Sequence, residues 1–183
     1  MPGPVAFGDT PGMALHQQLA RVSTEYLDAC RRAAAASADG DPGWGPPSED
    51  EIDLDWAAWG LGNYLRWAEG DPELIRTLER SLDGDDPSAV RYLDHLEFYD
   101  RMGEPPALLV PSAVAELSAR LDAVDTAALF ARFPEDRELA ASVTKLGLGG
   151  TYTLEWIARH FAMLREFYRG AAARGLAVVV WVD

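Results

Sequence analysis

The sequence predicts an α+β protein: a helix-rich single domain around a small mixed sheet, ending in a long helix and a buried C-terminal strand. Two stretches carry that prediction. Near the C-terminus, Leu154, Ile157, Phe161, Leu164 and Tyr168 recur at three- and four-residue steps, the spacing of one helix face. Trp156, His160, Met163 and Phe167 form a second stripe beside them, so the apolar surface is too wide for a helix that merely lies on a domain. Gly175 follows, where a residue without Cβ adopts a left-handed cap most readily, and then LAVVVWV, a run that suits a strand buried on both faces. The second stretch is EIDLDWAAWGLGNYLRWAEG, read as an enclosed helix with Ile52, Trp56, Trp59, Asn63 and Trp67 on one face and Leu61, Tyr64 and Leu65 on another. Gly60 and Gly62 weaken such a helix and suggest that another element comes close there.

Taken in order, residues 1–12 are rich in Pro and Gly and read as a flexible arm, with Met13 an alternative start and 13–183 the domain. ALHQQLARV gives weak alternation for a strand near 14–22, and Ser23 looks like the N-cap of the helix TEYLDACRRAAAA. A Gly- and Pro-rich loop leads to the Trp-rich helix, for which Asp50 and Glu51 would be dipole-compensating first-turn charges. PELIRTLERSL places Leu74, Leu78 and Leu82 at four-residue steps. PSAVRYLDHLEFYDRM suggests a further helix with Ala89, Leu93, Leu96 and Tyr99 inward. ALLV at 107–110 is a short strand, and Pro111 suits the first turn of SAVAELSARLDAV. Asp125 caps TAALFARF, a short helix follows over EDRELAASVTKL, and a glycine loop enters the C-terminal helix through Thr151 or Thr153. Strand, cap and helix recur in LARVSTEYLDAC and ALLVPSAVAELSARL, a repeated β–α unit.

Composition narrows the function classes. One cysteine, Cys30, cannot form an internal disulfide, which fits a reducing compartment. The start lacks the pattern of a signal peptide, and no apolar run reaches the length of a membrane span, so a cytoplasmic protein is expected. The formal charge is −14, and residues 39–104 alone hold 18 acidic and 5 basic side chains. Such a field repels nucleic acid and anionic membrane and attracts a basic partner. An acidic surface also serves solubility alone.

No catalytic signature emerges. GLGGTYT lacks the lysine of a phosphate loop, and HExxH and G-x-S-x-G are absent. Of His16, His95 and His160, no pair has zinc spacing, and His160 lies in an apolar stripe where a hydrogen-bonded core histidine is the simpler reading. DGDDPSAVRYLD fails as a calcium loop, because Ser88 stands where glycine is needed. No cofactor and no metal are expected.

Four segments together resemble the YfbM-like family of small bacterial proteins of unknown function. They are LREFYRGAAARGLAVVVWVD, PSAVAELSARLDAVDTAALFARF, IDLDWAAWGLG with its Asp-x-x-x-Trp pattern, and MALHQQLARVSTEYLDA. The resemblance implies a compact α/β domain and brings no activity. Members of that family often carry His one turn after the tryptophan matching Trp56, where this chain has Gly60, and residues 70–104 replace a loop with two acidic helices.

Two functions follow as expectations. The first is a non-catalytic cytoplasmic protein-binding module, of immunity type by analogy, that meets a basic partner through Glu73, Glu79, Asp83 and Asp86. The alternative is a small-molecule-binding or hydrolytic protein with a pocket lined by Trp56, Trp59, Tyr64 and His160. An enzyme would need His160 or His95 beside a carboxylate in a cleft.

Overall fold

A computed structural model of the chain describes residues 16–100, 104–146 and 153–183. The N-terminal arm, Met13 and the glycine loop at 147–150 lie outside the described residues. Four strands form one sheet: β1 (Gln17–Val22), β2 (Glu51–Asp53), β3 (Ala107–Leu109) and β4 (Ala177–Val182), in the order β2-β1-β4-β3. Every pairing is antiparallel, where the sequence suggested a mixed sheet. The two β–α units account for the difference: β1 and β3 run the same way but are separated by β4, which opposes both.

The fold is α+β, and helices cover the sheet on both sides. Period-two alternation divides the core. Val178 and Val180 of β4, with Leu19 of β1, face a large cluster, whereas Val179 and Trp181, with Ala20 and Val22, face a smaller one. On the large side lie α2 (Ala57–Trp67), α3 (Pro72–Asp83), α4 (Pro111–Asp122), α5 (Thr126–Phe130), α6 (Arg137–Thr144) and α7 (Leu154–Ala173). On the small side α1 (Thr24–Ala36) packs with a 3-10 stretch at Ser88–Leu93 and an aromatic group of Trp44, Phe98 and Trp181.

α7 lies at the centre of the large cluster, with Ile157, Phe161, Leu164, Phe167 and Tyr168 buried. The Tyr168 hydroxyl donates to the Ser81 carbonyl at 2.6 Å, tying α7 to α3. Leu154 and Met163, expected inside, are on the surface, because α7 is covered along only part of its circumference. Ser23, Asp125 and Thr153 cap their helices, accepting from Tyr26 N–H, from Ala127 and Ala128 N–H, and from Trp156 N–H. Pro111 opens α4, and Gly175 has φ 65° just past α7.

Two other expectations give way. Residues 51–53 are a strand, not the first turn of the Trp-rich helix, which begins at Ala57. Ile-Asp-Leu-Asp alternates at period two and pairs with β1, and Asp55 at φ 50° then turns the chain into the helix. Residues 88–99 are a kinked 3-10 segment with turns: Val90 has φ −121°, Val90 and Leu93 are buried at three-residue spacing, and Leu96 is exposed. At Gly60 the predicted close approach is present, since a Cβ there would stand 2.6 Å from Leu146 Cδ1. Gly62 faces only the Arg66 side chain.

Candidate functional site

The turn that links β2 to α2 is held by backbone and carboxylates together. Leu54 N–H donates to the Gln17 carbonyl at 2.9 Å, Asp55 N–H to Asp53 Oδ1 at 2.7 Å and Trp56 N–H to Asp55 Oδ1 at 2.8 Å. His16 Nδ1 lies 2.9 Å from Asp53 Oδ2, and its Nε2 lies 4.0 Å from Asp55 Oδ1. The hydrogen bond to Asp53 raises the His16 pKa. Burial pushes Asp53 upward, but the bond from His16 and the Asp55 N–H outweigh it and hold the carboxylate below its usual value.

This turn presents Trp56 and Trp59, with ring centroids 5.8 Å apart, to a cleft of about 250 Å³ between α2 and α3. Ile75, Leu78 and Leu82 form its apolar wall, and Asp55, Glu79 and Asp83 line it with the cation Arg66. Arg66 is already engaged, donating from Nη2 to Glu79 Oε1 at 2.6 Å. Asp83 is exposed, yet partial loss of hydration against the cleft wall, then the neighbouring Glu79, raises its pKa, and Arg66 offsets only part of this. Among the described residues no cation pairs with Asp83 and no donor bonds to it. Trp59 is 49% exposed, so part of its indole is open to solvent at the cleft.

The predicted site residues divide among three places. Trp56 and Trp59 share the cleft just described. Tyr64 points the other way, donating to the Leu129 carbonyl at 3.0 Å, and borders a second cleft of about 630 Å³ among α2, α3, α4 and α5. That cleft is larger, yet most of its rim charges are committed: Asp71 and Asp125 cap helices, Glu73 pairs with Arg76 and Arg120, and Arg132 donates to the Ala68 carbonyl. His160 borders a void of about 10 Å³, large enough for about one water at most, and its Nδ1 lies 2.7 Å from the Trp156 carbonyl. No carboxylate is among the residues lining that void. His95 Nε2 meets the Asp39 carbonyl at 3.2 Å.

The four acidic candidates also differ. Glu79 and Asp83 line the Trp56–Trp59 cleft, Glu73 lines the larger one, and Asp86 accepts from Ser88 N–H at 2.8 Å and from its hydroxyl, which lowers its pKa. Asp50, missed as a site of interest, is buried between two guanidinium groups: Arg21 Nε donates at 2.8 Å and Arg174 Nη2 at 3.1 Å. Its position after a loop gave no signal, because neither arginine is near in sequence. Among the described residues, no group of three His, Cys, Asp or Glu side chains could hold a metal ion, and no helix is long and apolar enough to cross a membrane.

A four-stranded antiparallel sheet crossed by a long C-terminal helix, with the closing strand at its centre, defines a YfbM-like fold. The crystal structure of YfbM from Escherichia coli, a protein of unknown function, matches over 92% of this chain and 99% of its own, with a TM-score of 0.52 and 18% sequence identity. At that identity the likeness is one of fold. No family model matches the sequence, and no curated protein matches it.

Proposed function

We propose that this protein is a non-catalytic binding module whose recognition surface is the acidic face of α2 and α3, and that its partner is a basic protein. The observation that carries the reading is the make-up of the cleft: Glu79 and Asp83 line it together with the half-exposed Trp59, and among the described residues no cation pairs with Asp83. A cation from outside would relieve its repulsion with Glu79 and cover the indole at the same time. Immunity-type proteins neutralise basic targets through acidic surfaces, and this comparison is by analogy of charge. A cytoplasmic setting belongs to the same proposal, supported by the single buried thiol of Cys30. The hydrolytic alternative has less behind it, since His160 is enclosed by apolar groups and hydrogen-bonded to backbone.

The test uses octalysine as a basic polypeptide of defined chemistry. Its affinity should fall steeply as added salt shortens the Debye length from about 10 Å at 0.1 M to about 3 Å at 1 M. The double reversal Glu79→Lys and Asp83→Lys should weaken it far more than Asp28→Lys and Glu166→Lys. The control pair changes the net charge equally at exposed positions elsewhere, each paired with an arginine three residues on. Equal losses in the two double variants would mean that net charge, and no particular face, attracts the peptide.

A further inference from the structure

We infer that the Trp56–Trp59 cleft receives one arginine side chain of that basic partner, its guanidinium stacked on Trp59 and its charge met by Asp83. The inference rests on the reading above and assigns the chemistry of its anchor.

Size is the first argument. At about 250 Å³ the cleft falls below the roughly 300–1,000 Å³ typical of sites for drug-sized ligands, and suits a single long side chain. Its wall is graded in the way an amphipathic side chain is graded. Ile75 and Leu82 offer apolar surface for a methylene stem, and Asp83 and Glu79 stand on the rim for a charged head. Trp56 and Trp59 meet edge to face at 64°, leaving Trp59 half exposed.

Guanidinium suits this place better than ammonium. It is planar, so it stacks on an indole, and its fork of donors matches a carboxylate. It is also less strongly hydrated, so it loses less on entering an apolar cleft. Two turns further along α2 the protein already makes this arrangement within itself. Arg132 lies over the Trp67 ring at 6.0 Å while donating to the Ala68 carbonyl. Trp67 therefore has its cation, and Trp59, comparably exposed, has none among the described residues.

The experiment compares labelled octaarginine with octalysine by fluorescence anisotropy on the full chain and on Trp59→Ala, Trp67→Ala and Asp83→Asn. Octaarginine should bind the unaltered protein about tenfold more tightly than octalysine, a gap that lies between the values for exposed and for desolvated cation–π contacts, as suits a half-exposed indole. Trp59→Ala should close most of that gap, Trp67→Ala should leave it, and Asp83→Asn should weaken both peptides. Thermal melts of each variant establish that it is folded, and Asp83→Asn keeps the proposal testable should Trp59→Ala prove unstable. If the two peptides bind equally, or the gap survives Trp59→Ala, the arginine assignment is wrong while the acidic-face reading stands. If neither peptide binds, both fall.

Discussion

Replacing Asp50 by Ala should lower stability by about 2–3 kcal/mol. Asp50 is 7% exposed and accepts from Arg21 and Arg174, whose side chains are 19% and 51% exposed. Breaking a fully buried ion pair costs about 3–5 kcal/mol because a charge is left without a counterion, whereas an exposed pair contributes about 0–1 kcal/mol. The loss here falls between these limits. Arg174 can rehydrate, but Arg21 is held over the Phe167 ring at 5.3 Å and keeps only the Glu49 carbonyl, 3.0 Å from Nη2. For a chain of this size each kcal/mol moves the melting temperature by about 2–4 °C, so a fall of about 4–12 °C is expected at neutral pH. The hydrogen bond from Arg174, then that from Arg21, lowers the Asp50 pKa against the opposing effect of burial. Its contribution is therefore present above the unfolded carboxylate value of about 3.9 and is lost as pH falls through the lower folded value. Circular-dichroism melts of the variant and the parent should diverge at neutral pH and converge in acid. A melting temperature within about 1 °C of the parent at neutral pH would refute this reasoning.

Other expectations follow from the same geometry. Val179 is fully buried in the central strand, between Ala20 and Leu108, so Val179→Asp should abolish cooperative unfolding; a soluble variant with a sharp melt would remove β4 from the core. Gly84 has φ 72°, and a Cβ there would stand 2.7 Å from Ala107 Cβ, so Gly84→Ala should lose about 1–3 kcal/mol in urea unfolding, and an unchanged midpoint would contradict the close approach of α3 to β3. His16 has its pKa raised by Asp53, so its contribution is complete below the unfolded value of about 6.5 and disappears as pH rises through the folded one. Both side chains are about as exposed as surface ion pairs, which limits the effect to under about 1 kcal/mol. His16→Gln should flatten stability between mildly acidic and mildly alkaline pH, and an identical slope in both proteins would exclude the pair as its source.

The sheet and its long helix were legible because their signals are local. Gly175 followed by LAVVVWV marks a cap and a buried strand within a dozen residues, and Ser23, Asp125 and Thr153 stand immediately before the helices they announce. What stayed hidden depends on partners distant in the chain. Glu51–Asp53 becomes a strand only because β1 offers it an edge, and the Trp-rich pattern masks that boundary by continuing the apolar spacing back to Ile52. Asp50 finds Arg174 from 124 residues away. The sequence placed Trp56 and Trp59 on one helix face with Ile52, Asn63 and Trp67 and grouped them with Tyr64 and His160 around one pocket; in the structure Trp56 and Trp59 share a cleft. Tyr64 and His160 lie on other sides of the same helix packing, since a three- or four-residue spacing fixes a face without saying which neighbour that face meets.

The most direct test of the central claim is to watch the indole Nε1–H signals of the six tryptophans in a nitrogen–proton correlation spectrum while octaarginine is added. The signals, assigned by single Trp→Phe substitutions, separate the two faces of the sheet: Trp56 and Trp59 line the acidic cleft, and Trp44 and Trp181 sit in the aromatic group on the opposite side. Saturable shifts of Trp59 and Trp56, with Trp44 and Trp181 unmoved, are the predicted result. Shifts confined to Trp44 and Trp181, or no indole shift at peptide concentrations where anisotropy reports binding, would contradict the account.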